Sequence, residues 1–202
     1  MKALELFGGS CSFSNEVKKL GHQTFTSDFK DFENINYVCD ILDFDISRIP
    51  FQPDIVWASP PCTYFSVASI GHHWNKDHTP KTSQAILGCV IVKKTLEIIE
   101  ALNPKFFFIE NPRGKLRKLD FMQKYKRHTV TYCQYGDTRM KPTDIWTNSD
   151  LWFPKPICKN GDPCHIKAPR GSQTGTQGLK GNYLRSVVPK QLCLEIIKSC
   201  IN

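Results

Sequence analysis

Short apolar runs alternate with amphipathic stretches along most of the chain. The apolar runs predict strands, which we place at residues 3–7, 24–27, 37–39, 54–58, 106–110, 129–133 and 145–147. Apolar residues at helical spacing predict helices at residues 12–20, 80–102 and 185–201. Because strands that alternate with helices are typical of βαβ units, we predict an α/β fold with a mostly parallel sheet and helices on both faces.

The character of the sequence changes near residue 150. Residues 150–182 are rich in Pro, Gly, Lys and Thr and lack a clear periodicity, whereas apolar spacing returns after Arg185. We therefore predict one main domain, formed by residues 1–149 and 183–202, and a small irregular insertion at residues 150–182.

The composition is typical of an intracellular globular protein. Hydrophobic residues make up 40% of the 202 residues, which is enough for one sizeable core. The sequence has no apolar run near the roughly 20 residues that cross a bilayer, and its first residues lack a secretory signal. Its nine cysteines are scattered and odd in number, which favours reduced thiols over a disulfide framework. We expect an intracellular protein without a membrane segment.

One thiol follows two prolines at the end of a predicted strand. The strand at residues 54–58 continues into Ser59, Pro60, Pro61 and Cys62. Proline fixes its own φ and restricts the preceding residue, so this stiff loop holds the thiol in place. A positioned cysteine is a candidate covalent nucleophile once it is ionised. A buried structural cysteine in a turn is the alternative interpretation.

Glycines and carboxylates end several other predicted strands. In chain order these residues are Gly8, Gly9, Asp28, Asp40 and Glu110. Ligands of doubly wound sheets bind outside the carboxyl ends of strands, where glycines admit a ligand and carboxylates bind ribose hydroxyls or an amine. Glu110 is also placed to share a proton with a substrate. Each residue alone is equally a turn or capping residue, but the ordered series predicts a ligand site beside Cys62.

Positive charge is concentrated on both sides of this candidate chemistry. The formal net charge is +8, with one basic cluster within residues 113–128 and a second within residues 155–190. Two solvated faces would account for these clusters. Their position beside the candidate site favours a surface that faces phosphates, and hence a polyanionic partner.

The order of these motifs resembles that of the C5-cytosine-specific DNA methyltransferases. The resemblance covers most of residues 1–148 and 185–202, and it is closest to short phage or viral members. It therefore implies the cytoplasm of a bacterial host or, for a eukaryotic virus, the nucleus. The matching motifs are a glycine turn, two acids, Pro-Pro-Cys, Glu-Asn-Pro, a basic motif and a closing Val-Pro, at residues 8–9, 28, 40, 60–62, 110–112, 135–143 and 188–189.

The resemblance implies a Rossmann-like, S-adenosylmethionine-dependent enzyme that methylates C5 of cytosine in double-stranded DNA. Cys62 would attack cytosine C6, and Glu110 would contact N3 and the exocyclic amine while C5 takes the methyl group. Covalent addition divides a difficult step into easier ones, and the base must first leave the duplex stack. Arg139 and Lys141 occupy positions of the family's basic motif, and Lys141 is the better candidate for a cytosine or phosphate contact.

The same resemblance assigns the binding residues. In the cofactor site, Phe7 would pack on adenine, Asp28 would hold the ribose and Asp40 the adenine amine. The remaining predicted cofactor residues are Gly8, Gly9, Ser10 and Pro60. The predicted DNA contacts are Ser66, Arg113, Arg170, Gln173 and Gln177.

The sequence departs from the family's pattern in three places. Cys11 and Ser12 stand where glycines are common, and Thr143 stands where a second arginine is usual. The insertion at residues 150–182, where target recognition is expected, is short, which implies few base contacts and a short or relaxed target. Its loop at residues 169–178 either enters a groove or contacts only the DNA backbone.

Three alternatives to this function stay open. An RNA cytosine-5 methyltransferase would share the fold, and a test of tRNA against duplex DNA separates the two. A non-catalytic DNA-binding relative is disfavoured by intact Cys62 and Glu110. A dehydrogenase ranks last, because the first turn does not give Gly-x-Gly-x-x-Gly.

Two groups of side chains raise the question of metal binding. Cys158, Cys164 and His165 lack an obvious fourth ligand, whereas structural zinc usually has four protein ligands, so we predict no metal there. The group of His72, His73 and His78 either clamps DNA or consists of polar loop residues.

Overall fold

A seven-stranded sheet forms the centre of the computed structural model, which describes residues 1–167 and 182–201. The strands are β1 (Lys2–Leu6), β2 (Gln23–Asp28), β3 (Tyr37–Val38), β4 (Ile55–Ala58), β5 (Phe106–Pro112), β6 (Lys126–Thr131) and β7 (Pro142–Thr147). The helices of the described residues are α1 (Ser12–Lys19), α2 (Ile70–His73), α3 (Ser83–Leu102), α4 (Asn182–Ser186) and α5 (Lys190–Ile201).

The sheet is mostly parallel, as predicted. Its strand order is β3-β2-β1-β4-β5-β7-β6. The five strands from β3 to β5 in this order are parallel to one another, and β7 is antiparallel to both β5 and β6. The carboxyl ends of β1, β2, β4 and β5 therefore meet at one edge, where the chain turns through its candidate ligand residues.

Alternate strand residues face opposite layers of helices, which confirms helices on both faces. In β4, Val56 and Ala58 belong to the core that α3 covers, whereas Ile55 and Trp57 belong to the core that α1 and α5 cover. Phe13 of α1 stacks on Trp57 with ring centroids 4.9 Å apart. Both faces are apolar because a parallel strand is covered on both sides, and each fully buried large side chain contributes about 1.5–3 kcal/mol.

Several element boundaries differ from the predicted ones, among them the starts of α3 and α5 and the end of β6. Helix α3 begins at Ser83 rather than at residue 80, because the Thr82 side chain accepts a hydrogen bond from the Ala85 N–H and caps the helix. Helix α5 begins only after Pro189, which keeps Val188 from continuing a helix. Strand β6 ends at residue 131, and a 3₁₀ turn (Tyr132–Tyr135) follows it.

A buried carboxylate inside β1 holds the start of α1. Glu5 is 3% exposed, and its carboxylate accepts hydrogen bonds from the N–H groups of Phe13 (3.4 Å) and Ser14 (2.7 Å). These N–H groups have no partner within the helix, and the helix N-terminus attracts negative charge. Burial nevertheless raises the pKa of Glu5 to about 7.

We expect Glu5 to make the stability of the protein fall with pH. The folded protein binds this proton more tightly than the unfolded chain, so the free energy of unfolding falls by about 3 kcal/mol as pH rises from about 4.5 to about 7. The Glu5→Gln variant should lack this contribution, whereas Glu97→Gln, at an exposed position of α3, should keep it. Urea unfolding across this pH range measures the difference, and identical pH profiles for wild type and Glu5→Gln would contradict it.

Among the described residues, no helix is both long enough and apolar enough to cross a membrane.

Candidate active site

The loop after β4 holds Cys62 through several hydrogen bonds. The N–H groups of Phe65 and Ser66 both donate to the Cys62 carbonyl at 3.0 Å, which closes a turn directly after the thiol. On the other side of the thiol, the buried Asn111 side chain of β5 donates to the Pro60 carbonyl at 2.8 Å. Cys62 itself is half-buried. The thiol is therefore fixed from both sides of the loop and still reaches the surface.

A second loop, after β5, packs tightly against this one. The Lys115 N–H donates to the Phe65 carbonyl at 2.7 Å, and Ser66 pairs with Gly114 in an antiparallel bridge. A Cβ atom on Gly114 would lie 2.1 Å from the Phe65 carbonyl oxygen. Only glycine allows the two backbones to approach so closely.

We expect Gly114→Ala to strain this contact between the two loops. Because the obstacle is backbone rather than a mobile side chain, the substitution should lower the free energy of unfolding by about 1–3 kcal/mol. Gly71→Ala in α2 is the matched control, since its Cβ would meet nothing within 4 Å among the described residues. Urea unfolding of both variants measures the effect. If the two variants had equal free energies of unfolding, the two loops would be able to separate without loss of stability.

Glu110 lies in β5 opposite Ile145 of β7, with its carboxylate in a buried network. The Tyr132 hydroxyl donates to Glu110 Oε1 at 2.8 Å, and Lys141 Nζ lies 3.9 Å from the same oxygen. Burial raises the pKa of Tyr132 well above its usual value, so the hydroxyl stays protonated and remains a donor. Since β5 continues to Pro112, Glu110 does not cap a helix, which was the alternative interpretation.

Charged neighbours act on the Cys62 thiol in opposite directions. Burial raises the pKa of Cys62 above its usual value of 9.0, and the negative charge of Glu110 raises it further. The positive charges of Lys141 and Arg185 lower it. The thiol is therefore protonated at neutral pH, and its ionisation depends on the balance between these charges.

This balance predicts that two variants change the pKa of Cys62 in opposite directions. Lys141→Gln removes a positive charge, so alkylation of Cys62 by iodoacetamide should require higher pH than in wild type. Glu110→Gln removes a negative charge, so alkylation should proceed at lower pH. At a fixed pH below the pKa, lowering the pKa by about one increases the thiolate fraction about tenfold. Peptide mass spectrometry at Cys62 over a pH series measures both changes, and changes in the same direction would contradict the arrangement.

A cleft of about 190 Å³ lies at the carboxyl ends of β1, β2 and β4, beside the Cys62 loop. Three residues predicted to bind the cofactor, Phe7, Asp28 and Asp40, line it. The proline that lines the cleft is Pro61, whereas Pro60 directs its carbonyl to β5. The cleft thus begins at the residue directly before the thiol.

The two carboxylates of the cleft are held by backbone N–H groups. Asp28 accepts from Gly9 at 3.1 Å and from Lys30 at 3.0 Å, and burial raises the pKa of Asp28. Asp40 accepts from Leu42 at 2.9 Å and so caps a short 3₁₀ helix. Asp40 is therefore a turn residue as well as part of the cleft lining.

Comparison with known proteins identifies the family. The sequence profile of the family described as "C-5 cytosine-specific DNA methylase" matches residues 2–129, a stretch that contains Cys62 and Glu110. The chain belongs to this family. The predicted resemblance is thereby confirmed.

The chain covers different shares of the relatives that it matches. A protein of Frog virus 3 named "Probable DNA (cytosine-5)-methyltransferase" is 30% identical, and the alignment covers 99% of this chain and 100% of that protein. The type II methyltransferase M.HpaII of Haemophilus parainfluenzae is 31% identical over 55% of this chain but only 28% of its own length. The methyltransferase EhMeth of Entamoeba histolytica shares the fold, with a TM-score of 0.54 at 12% identity over 77% of this chain and 57% of EhMeth.

The glycine turn after β1 is fixed by Ser12, at a position where the family commonly has glycine. Ser12 Oγ accepts a hydrogen bond from the Val188 N–H at 3.1 Å and lies 2.7 Å from Ser10 Oγ. Gly9 adopts a φ of +44°, which glycine tolerates without strain. Through this hydrogen bond, Ser12 connects the turn to the C-terminal segment that contains Val188. Gly8, Gly9 and Ser10 are next to the cleft in sequence but do not line it.

The two residues predicted from the basic motif contact the C-terminal segment. Arg139 is 6% exposed, forms a salt bridge with Asp137 and donates to the carbonyls of Leu184 (3.4 Å) and Val187 (3.5 Å). Lys141 Nζ donates to the Arg185 carbonyl at 3.0 Å while facing Glu110. Lys141 thus belongs to the network around Glu110, whereas Arg139 holds the segment that contains Arg185.

The predicted DNA contacts divide into described and undescribed positions. Ser66 is half-buried, with its hydroxyl 3.0 Å from Ser69 Oγ, and Arg113 is exposed beside the active-site loops. The other three predicted contacts, Arg170, Gln173 and Gln177, lie outside the described residues.

The first basic cluster is less positive than its sequence indicates. Three of its cations form salt bridges with acids of this chain, in the pairs Arg117–Asp144, Lys124–Glu100 and Lys126–Asp150. Lys115 is buried, with its Nζ 2.7 Å from His78 Nδ1. His73, the last residue of α2, is also buried and lies 2.7 Å from Thr82 Oγ1, whereas His72 and His78 are exposed.

A fourth potential metal ligand joins the group of Cys158, Cys164 and His165. Cys133, which lies 25 residues before Cys158, contacts Cys158 at 3.1 Å. The prediction that this group lacks a fourth ligand is therefore wrong. Cys133 was not recognised as a ligand from the sequence, because it ends an apolar run that predicts a strand. A cysteine in such a run is typical of a small core residue.

Proposed function

We propose that this chain is an S-adenosylmethionine-dependent DNA methyltransferase that methylates C5 of cytosine through a covalent adduct with Cys62. The observation that supports this proposal most strongly is that the candidate cofactor cleft and the Cys62 thiol are adjacent. Pro61 lines the cleft with Phe7 and Asp28, and the next residue is Cys62, whose thiol responds to the charge of Glu110. A methyl donor in the cleft would therefore lie beside a cytosine held by Cys62 and Glu110.

The residues of the cleft fit the adenosine part of the cofactor. Asp28 presents a carboxylate fixed by two N–H groups, which suits ribose hydroxyls, and Asp40 is placed for the adenine amine. Phe7 offers a ring face for the base. When bound, S-adenosylmethionine would supply an electrophilic methyl group.

In the proposed reaction, the Cys62 thiolate forms a bond to cytosine C6. Glu110 shares a proton with N3 as electron density moves from the new bond toward the ring, which makes C5 nucleophilic. The Tyr132 hydroxyl holds Glu110 in place at 2.8 Å, and Lys141 and Arg185 favour the thiolate. After C5 is methylated, its proton passes to solvent water and N3 returns its proton to Glu110. β-Elimination then releases the Cys62 thiolate and restores the aromatic ring.

We assign different roles to the two basic residues. Lys141, close to Glu110, is the candidate for contact with the cytosine or its phosphate. Arg139 is a positioning residue, because its guanidinium binds Asp137 and the carbonyls of residues 184 and 187. By fixing this segment, Arg139 keeps Arg185 where its charge acts on Cys62.

The proposed substrate is double-stranded DNA from which the target base is flipped out. Residues 150–182 are the proposed target-recognition insertion, and their small number implies a short or relaxed target sequence. Ser66 and Arg113, beside the Cys62 loop, are the proposed contacts nearest to the flipped base.

The test of this function is the transfer of labelled methyl groups from S-adenosylmethionine to unmethylated duplex DNA. A parallel sample contains tRNA, and bisulfite sequencing locates the modified cytosines. We expect label at C5 of cytosine in DNA, and the spread of sites will show how much sequence the insertion recognises. Label on tRNA alone would replace the proposed substrate, and no label on either, with cofactor bound, would favour a non-catalytic role.

A further inference from the structure

A compact cluster of four ligating side chains lies apart from the Cys62 site. Cys133 Sγ lies 3.1 Å from Cys158 Sγ and 3.6 Å from Cys164 Sγ. His165 Nδ1 lies 3.8 Å from Cys158 Sγ and 3.7 Å from Cys164 Sγ. All four ligand atoms lie within 4.8 Å of one another. Three thiols and one imidazole thus converge on a single point.

Three of these distances match edges of a tetrahedron around a zinc ion. Zinc binds sulfur at about 2.3 Å and nitrogen at about 2.0–2.1 Å, which separates tetrahedral ligands by about 3.5–3.8 Å. Three of the four distances fall in this range, and only the contact between Cys133 and Cys158 is shorter.

We propose that Cys133, Cys158, Cys164 and His165 bind one structural zinc ion. Three sulfurs and one nitrogen in tetrahedral arrangement favour zinc over hard cations, which prefer oxygen. Four protein ligands leave no open position for a substrate, so the site is structural rather than catalytic. This proposal does not depend on the methyl transfer proposed above.

The surroundings of the cluster suit coordinated thiolates. The Gln134 side-chain amide donates to Cys164 Sγ at 3.6 Å. The Cys158 N–H donates to the Thr131 hydroxyl at 3.1 Å, which fixes the backbone that presents this ligand. Such outer contacts orient metal ligands and stabilise their charged form.

The ion would fasten an irregular segment to the sheet. Residues 151–167 contain neither a helix nor a strand, and three of the four ligands belong to this segment. The fourth, Cys133, belongs to the 3₁₀ turn after β6. Because this segment has no helix or strand to fix its backbone, a metal ion is an effective constraint on it.

The same segment contacts the chain next to the basic motif. The Ile166 N–H donates to the Thr138 carbonyl at 2.9 Å, one residue before Arg139. Zinc binding would therefore fix both the first part of the proposed target-recognition insertion and the backbone that leads to Lys141.

The test compares metal content in three forms of the full chain. Wild type, Cys164→Ser and Cys89→Ser are purified with reductant, supplied with zinc, dialysed and analysed by elemental mass spectrometry. Cys164 is exposed, so its replacement by serine leaves the core intact, and Cys89 is a half-buried cysteine outside the cluster. Circular dichroism confirms that each variant is folded.

We expect one zinc per chain in wild type and in Cys89→Ser. Cys164→Ser should bind zinc at least about tenfold more weakly, since loss of an outer-shell partner alone costs about that much. Cobalt-substituted wild type should show the intense visible absorption of a tetrahedral thiolate site. Wild type that retains no zinc and gives no such cobalt spectrum would overturn the proposal, as would undiminished zinc in Cys164→Ser. The proposal would also be overturned if wild type contained no zinc and Cys133 and Cys158 formed a disulfide, because the two thiols would then form a crosslink instead of a metal site.

Discussion

Cys62→Ser should reduce methyl transfer to DNA by about 10⁴-fold or more, the scale of loss seen when a nucleophile is removed. A serine hydroxyl is far less acidic than a thiol, so Lys141 and Arg185 cannot bring it to the ionised state. The cofactor cleft should be unchanged, because its Asp28 is held by Gly9 and Lys30 and not by the thiol.

Two measurements separate loss of chemistry from loss of structure in this variant. Calorimetric titration with S-adenosylhomocysteine should give the wild-type affinity. Cys89→Ser, which changes a cysteine of α3 that does not line the cleft, should retain wild-type turnover. Turnover near wild type in Cys62→Ser would refute the covalent mechanism, whatever the affinity for cofactor.

Glu110→Gln should reduce the rate of methyl transfer by about 10²–10⁴-fold, the usual contribution of general acid–base catalysis. Glutamine keeps an oxygen that accepts from the Tyr132 hydroxyl but loses the proton that the proposed reaction delivers to N3. The loss should occur although the Cys62 thiol ionises more readily in this variant, because Glu110 raises the pKa of Cys62 in wild type. If Glu110→Gln speeds the alkylation of Cys62 but slows methylation, the loss comes from the missing proton donor and not from a less reactive nucleophile.

Single-turnover kinetics at several pH values measures this effect. Glu97→Gln, at an exposed position of α3, is the matched control and should retain the wild-type rate. A loss smaller than about tenfold in Glu110→Gln would mean that another group protonates the ring.

The sequence predicted the sheet well because its strands have a clear period and are covered on both faces. Val56 and Trp57 point to opposite helical layers, so both had to be apolar. The helix starts were less predictable, since Thr82 and Pro189 determine them through one cap and one backbone restriction. Glu5 was missed because a single acid within an apolar strand gives no sign that it holds the N-terminus of α1.

The candidate site was predictable where its residues follow strands directly. Phe7, Asp28 and Asp40 line the cleft because parallel strands end at one edge of the sheet. Contacts between distant segments were not predictable. The carbonyls of residues 184–187 that engage Arg139 and Lys141 leave no mark in the sequence, and neither does the approach of Cys133 to Cys158.

Trapping the adduct between Cys62 and cytosine tests the covalent mechanism directly. Duplex DNA that contains 5-fluorocytosine in place of cytosine is incubated with the protein and S-adenosylmethionine. In β-elimination a base removes the hydrogen at C5 as a proton, and it cannot remove fluorine in this way. The elimination therefore stops, and the bond between Cys62 and C6 persists. Mass spectrometry of the digested complex should find the nucleotide attached to the peptide that contains Cys62. Methylation of ordinary DNA without any trapped adduct, or an adduct on another cysteine, would contradict the account.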